Sequence, residues 1–248
     1  MHDATGLLLT MIFIAAGLVK GVTGMGLPTV AMGLLGSFMP LPAAAGLLII
    51  PSLVTNIWQL LAGPAFLALF SRLWLMMVLI MLGTVAGSVL LIAVNPRGSA
   101  FGLGAALVIY AGYALFSPTI SVPPRAERWL SPLIGAITGI VTGATGVFVM
   151  PAVPYLQSLS LSKEELVQAL GLSFTVSTLA LALGLLTHHA YPASQLSLSL
   201  LTVFPALFGM WLGQKIRLRI SAKTFRKCFL LFLILLGAEL ILRPLILS

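Results

Sequence analysis

The sequence predicts an all-α integral membrane protein, and two observations carry that assignment. Of 248 residues, 60% are hydrophobic and only 7% are charged, whereas a soluble domain carries about 25% charged residues. Apolar runs of about 18 or more residues recur along the chain, the length that crosses a bilayer core. A β-barrel is excluded, because its strands alternate polar and apolar residues over about 10 positions.

The elements follow in order. An apolar run over 7–19 meets a glycine-rich break and a short run over 27–38, and long apolar stretches then cover 43–61, 73–94 and 99–116. A polar segment, 117–128, holds Pro118, Pro123 and Pro124, after which the series begins again. The run 133–141 leads into a second break and 147–159; stretches over 166–186, 196–212 and 229–242 complete it. The chain divides into a first transmembrane repeat (1–116), a polar connecting loop (117–130) and a second repeat (131–248).

Three anchors align the halves. Gly21-Val22-Thr23-Gly24 matches Ile140-Val141-Thr142-Gly143 at an offset of 119, and Ser52-Leu53-Val54-Thr55-Asn56 matches Phe174-Thr175-Val176-Ser177-Thr178 at 122. Gly83 and Gly87 match Gly209 and Gly213 at 126. Charge decides the relative orientation. If each interrupted segment crossed the membrane, the basic residues would divide eight inside to four outside. If each turns back, Arg72, Arg125, Arg128, Lys163, Lys215, Arg217, Arg219, Lys223, Arg226 and Lys227 are cytoplasmic, only Arg97 and Arg243 are outside, and Lys20 stays in the membrane. The second split obeys the positive-inside rule better. The expected fold is two inverted repeats of about four helical units, each opening with a Gly-interrupted re-entrant helix, with both termini outside.

The net charge of +8 therefore reflects membrane orientation and anionic lipids, with no nucleic-acid partner expected. The single Cys228 excludes an internal disulfide and a thiolate metal cage. Met1-His2-Asp3 lacks the basic start of a secretory signal, so the first apolar run is expected to belong to the mature chain.

A helix interruption in lipid is costly unless its backbone groups face protein, water or a ligand. The breaks at Gly21, Gly24 and Gly26 and at Gly143 and Gly146 are expected to aim free N–H groups at an anion, with Pro28 and Pro151 opening the following helices. Thr23, Thr142 and Thr145 would add hydroxyl donors; the competing account is close helix packing by small residues. Gly83/Gly87 and Gly209/Gly213 are read chiefly as packing seams. Lys20, beside the first break, either neutralises an anion or snorkels to the surface. Asn56 with Thr55, and their counterparts Thr178 and Ser177, line a path or join helices. Glu239 is expected to pair with Arg243 at i+4. His188 and His189 are expected at the interface, and Glu164 and Glu165 at a helix start.

Enzyme chemistry is not expected. Asp3 is the only aspartate, and neither an HExxH zinc motif nor a phosphate-cradling GKS/T loop is present. Gly171-Leu172-Ser173-Phe174 with a histidine only faintly matches a serine–histidine dyad. No catalytic residue, metal or cofactor is expected, and transport is passive or coupled to an ion gradient of protons or sodium.

The segment Gly17-Leu18-Val19-Lys20-Gly21-Val22-Thr23-Gly24-Met25-Gly26, its partner 135–146, and Ala169-Leu170-Gly171-Leu172-Ser173-Phe174 resemble the sulfite exporter TauE/SafE family over nearly the whole chain. The resemblance implies a multi-pass permease of a bacterial-type inner (plasma) membrane for sulfur-containing anions such as sulfite or organosulfonates. The expected function is secondary transport of such an anion, bound mid-membrane between the two broken helices. An anion channel and a non-transporting membrane scaffold are the alternatives. Expected partners are the anion, membrane lipids and a coupling ion, and a homodimer is left open.

Overall fold

The structure is a computed structural model that describes residues 2–116, 121–190, 193–219 and 221–246. The start of the polar connecting loop (117–120), Tyr191-Pro192 and the side chains of Asp3 and Lys223 lie outside the described residues. Those residues form eleven helices and no strand: α1 (His2–Thr23), α2 (Leu27–Gly36), α3 (Leu41–Leu61), α4 (Phe66–Ala93), α5 (Pro96–Phe116), α6 (Pro124–Thr145), α7 (Ala152–Ser158), α8 (Lys163–Thr187), α9 (Ala193–Leu201), α10 (Val203–Arg217) and α11 (Ala222–Ile246). Six apolar stretches are long enough to cross a membrane, in α1, α3, α4, α5, α8 and across α9–α10. The chain is a multi-pass α-helical membrane protein.

Glycines set how closely the helices approach. A Cβ on Gly83 would meet the Ala136 carbonyl at 2.8 Å, and one on Gly143 would meet the Ser88 amide at 2.6 Å, so α4 and α6 touch backbone to backbone. Gly17 and Gly21 meet α10 at Ala206 and Met210 in the same way, and Gly209 and Gly213 meet Ile14 and Leu18. Residue numbers rise together along both seams, so α1 runs parallel to α10 and α6 parallel to α4. The packing account of Gly83, Gly87, Gly209 and Gly213 holds.

The interruptions are shorter than the glycine content suggests. Gly21 and Gly143 remain helical; the first break is Gly24-Met25-Gly26 and the second begins at Gly146. Helix is retained through Gly21 and Gly143 because lipid offers the backbone no other partner, and each glycine is covered by a neighbouring helix. Gly24, Gly26 and Gly146 have φ of 78°, 100° and 71°, the left-handed region where lack of a Cβ matters. Pro28 falls in the first turn of α2 and Pro151 is the N-cap of α7. The run expected over 147–159 is helical only as α7.

Local geometry pairs the two turns at an offset different from that of the sequence alignment. The Thr23 hydroxyl donates to Val19 O and accepts from Met25 N, and the Thr145 hydroxyl donates to Val141 O and accepts from Val147 N. Thr23 therefore matches Thr145 at an offset of 122, whereas the sequence alignment paired it with Thr142 at 119. Thr142 instead matches Lys20: Gly24 N donates to Lys20 O and Gly146 N to Thr142 O, both at 2.7 Å.

Polar side chains satisfy backbone groups that helix ends and prolines leave open. Pro51 lacks the N–H that would bond Leu47 O, and Ser199 of α9 donates to that carbonyl at 2.8 Å. Gln168 donates to Leu60 O and Gly63 O and accepts from Ala65 N, closing the end of α3 from α8. Arg72 lies inside α4, where it makes a two-point ion pair with Glu127 of α6. Glu239 pairs with Arg243 at 3.6 Å, and both bond Ser37 at the end of α2. Ser162 and Glu165 form a capping box at the start of α8. His188 and His189 are exposed just past its end.

Candidate functional site

Lys20 leaves α1 and reaches the interior. Its residue is 3% exposed, which rules out snorkelling to a surface. Its amino nitrogen donates to Asn56 Oδ1 on α3, its one hydrogen-bond partner among the described residues. Asn56, fully buried, passes the chain on by donating from Nδ2 to Thr178 Oγ1 on α8 at 3.2 Å. Asn56 and Thr178 stand 122 residues apart, the offset that also separates Thr23 from Thr145. The described ion pairs of the protein, Arg72–Glu127 and Arg243–Glu239, lie elsewhere.

The bond sits between the two breaks. Gln59, one turn beyond Asn56, donates to Gly24 O at the first break and to Val167 O on α8. A Cβ on Gly143, near the second break, meets Ser88, and one on Gly184 of α8 meets the same Ser88. Val167 and Gly184 are therefore α8 markers for the two breaks. At about 1.5 Å rise per residue they lie roughly 25 Å apart, close to the roughly 30 Å of a hydrocarbon core. Thr178 falls between them.

The remaining expected site residues divide. Lys20, Asn56 and Thr178 come together. Ser177 is buried beside Thr178 with its hydroxyl unpartnered, as is that of Ser52, one turn before Asn56 on α3. The buried hydroxyls of Thr29, Thr84, Thr138 and Ser173 are likewise unpartnered, but Ser177 adjoins Thr178 and Ser52 lies one turn from Asn56. The hydroxyls of Thr23, Thr142 and Thr145 are committed to the turns: Thr142 donates to Val147 O, and the others bond as given above. Gly21 and Gly143 face the helix seams. Break amides expected to be free are partly taken, those of Met25 and Val147 by threonine hydroxyls. Sequence reasoning missed Gln59 and Gln168; the signal was present, since each is an uncharged polar residue inside an apolar run.

A cavity of about 850 Å³ opens beside the first break. Val22, Thr23 and Met25 form one wall, Tyr110, Tyr155 and Phe229 others, and Arg217, Arg226 and Lys227 also line it. The Tyr110 hydroxyl meets Met25 Sδ at 3.7 Å. Lys20 does not line this cavity.

A multi-pass helical bundle with two broken helices and a buried lysine between them has the architecture of a membrane transporter. The chain belongs to the sulfite exporter TauE/SafE family, whose model matches residues 9–240. No curated protein and no solved structure matches it significantly.

Proposed function

We propose that this chain is a secondary transporter of a small sulfur-containing oxyanion, sulfite or an organosulfonate, held near the middle of an inner membrane. The observation that carries this is Lys20, a buried amino group whose described partner is a neutral amide. An ammonium has three N–H donors and Asn56 takes one, leaving two for oxyanion oxygens. A buried charge is expensive unless paired, and an anionic substrate supplies the pair. Family membership supports the same substrate class.

In this account Lys20 neutralises the anion, Asn56 aims the ammonium, and Thr178, Ser177 and Ser52 offer hydroxyls. Gly24, Gly26 and Gly146 form the turns at the two ends of the path, with Thr23, Thr142 and Thr145 holding those turns. Gly21 and Gly143 bring α10 and α4 close to the broken helices. The halves are inverted repeats, each opening with a helical hairpin that enters and leaves by one face. The parallel seams, the antiparallel run of α3 and α8, and breaks at opposite ends of α8 support that topology. Inverted-repeat transporters bind substrate at such repeat interfaces.

Flux of radiolabelled sulfite and of an alkanesulfonate into proteoliposomes tests the function. Saturable, mutually competitive uptake is expected; no flux of either rejects transport of this class, and flux linear in concentration makes the protein a pore. Lys20→Ala should weaken apparent affinity roughly 10- to 150-fold, the equivalent of about 1.5–3 kcal/mol for a charged hydrogen bond. Wild-type affinity in that variant removes Lys20 from the site.

A further inference from the structure

We propose that Lys20 is also the coupling site, taking up one proton from water as the anion binds and returning it as the anion leaves. A monovalent oxyanion then crosses together with one proton. This rests on the anion site proposed above and names its coupling ion.

The geometry carries it. Lys20 is buried between α1 and α3, and among the described residues its nitrogen makes one bond, to an amide oxygen. A neutral amine satisfies that bond equally well, since it too has an N–H to donate. The amide cannot answer a full positive charge. Charging the amine alone leaves an uncompensated charge inside the protein, and inserting an anion beside a neutral amine leaves an uncompensated negative one. Taken together, anion and proton leave a neutral pair. Two ligands that each remove the other's desolvation cost bind cooperatively, and the linkage is reciprocal.

The neighbouring charges leave this role to Lys20. On its own helix, His2 and Asp3 stand at the opposite end, about 25 Å away by helical rise. Lys215 and Arg217 on α10 are exposed at its end, with Lys215 stacked on Trp211. On α11, Arg226, Lys227 and Cys228 are exposed, and Glu239 and Arg243 pair with each other. Helices α2 and α3 carry no titratable side chain. On α8, behind Thr178, Lys163, Glu164 and Glu165 lie in the first turn and His188 just past the last. With the anion bound, a sodium ion at this position would face an ammonium, which offers donors and no acceptor.

The proton balance is closed: R–NH2, H⁺ from water and the anion give R–NH3⁺ paired with the anion, and release reverses each step. The test uses methanesulfonate, which has no titratable group near neutral pH, so any proton that moves is carried by the protein. Calorimetric titration of the purified protein in buffers of different ionisation heat should show uptake of about one proton per anion bound. Affinity should fall up to tenfold per unit of rising pH, because the bound state holds the extra proton. In vesicles containing a pH dye, methanesulfonate entry should acidify the lumen. Lys20→Arg keeps a permanent charge and should bind the anion without proton uptake or pH dependence.

Methanesulfonate binding to the wild-type protein with no proton uptake overturns the coupling and leaves the anion site standing. Undiminished proton uptake in folded Lys20→Arg also overturns it. Should Lys20→Arg fail to fold, the wild-type calorimetry decides alone. Absence of methanesulfonate, sulfite and alkanesulfonate binding to wild type refutes the anion site, and the coupling with it.

Discussion

Replacing Asn56 by aspartate changes one atom pair at the centre of the molecule and tests what the Lys20 charge is for. Asn56 Oδ1 accepts from the Lys20 side-chain nitrogen in a buried setting. Aspartate keeps the shape and the acceptor but adds a full negative charge, giving Lys20 an internal counter-ion. Opposite unit charges about 4 Å apart attract by about 4 kcal/mol at an effective dielectric of 20. Desolvation and loss of the Asn56 bond to Thr178 Oγ1 reduce that gain, so about 2–4 kcal/mol opposes an anion competing for the same ammonium. Anion affinity should fall roughly 30- to 1,000-fold. Titration calorimetry with methanesulfonate measures this directly, and thermal unfolding of the same sample verifies that the variant is folded. Asn56→Leu instead leaves the lysine without an acceptor and should lower stability by about 1–3 kcal/mol. Folded Asn56→Asp binding the anion within threefold of wild type would refute Lys20 as the anion's partner.

Other consequences follow from packing and capping. Gly143→Ala places a Cβ 2.6 Å from the Ser88 amide and should cost about 1–3 kcal/mol in thermal unfolding. Gly112→Ala, with nothing within 4 Å, should be neutral or raise stability by up to about 1 kcal/mol. Ser199→Ala leaves Leu47 O unpartnered opposite Pro51 and should destabilise by about 1 kcal/mol or more. In a Cys228→Ser background, cysteines at Glu164 and Asn95 should be labelled from opposite sides of the membrane; labelling from the same side rejects the inverted topology.

The sequence by itself determined the solvent, and the solvent determined most of the secondary structure. Its apolar runs are helical because lipid leaves the backbone no other partner, and 43–61 and 99–116 fall within α3 and α5. It also marked both breaks, the odd buried lysine, the acidic start of α8 and the Glu239–Arg243 pair. Tertiary structure decided which glycines turn the chain and which pack. Gly21 and Gly24 look alike in sequence, but only Gly24 has left-handed backbone. The contact of Lys20 with Asn56, and of Asn56 with Thr178, joins positions 36 and 122 residues apart. Each residue turns a helix by about 100°, so that contact depends on how each helix is rotated. A helix apolar on nearly every side carries no moment to declare its rotation. The backbone contacts made by Gly17, Gly21, Gly139 and Gly143 set it instead, and they exist only once the helices have packed.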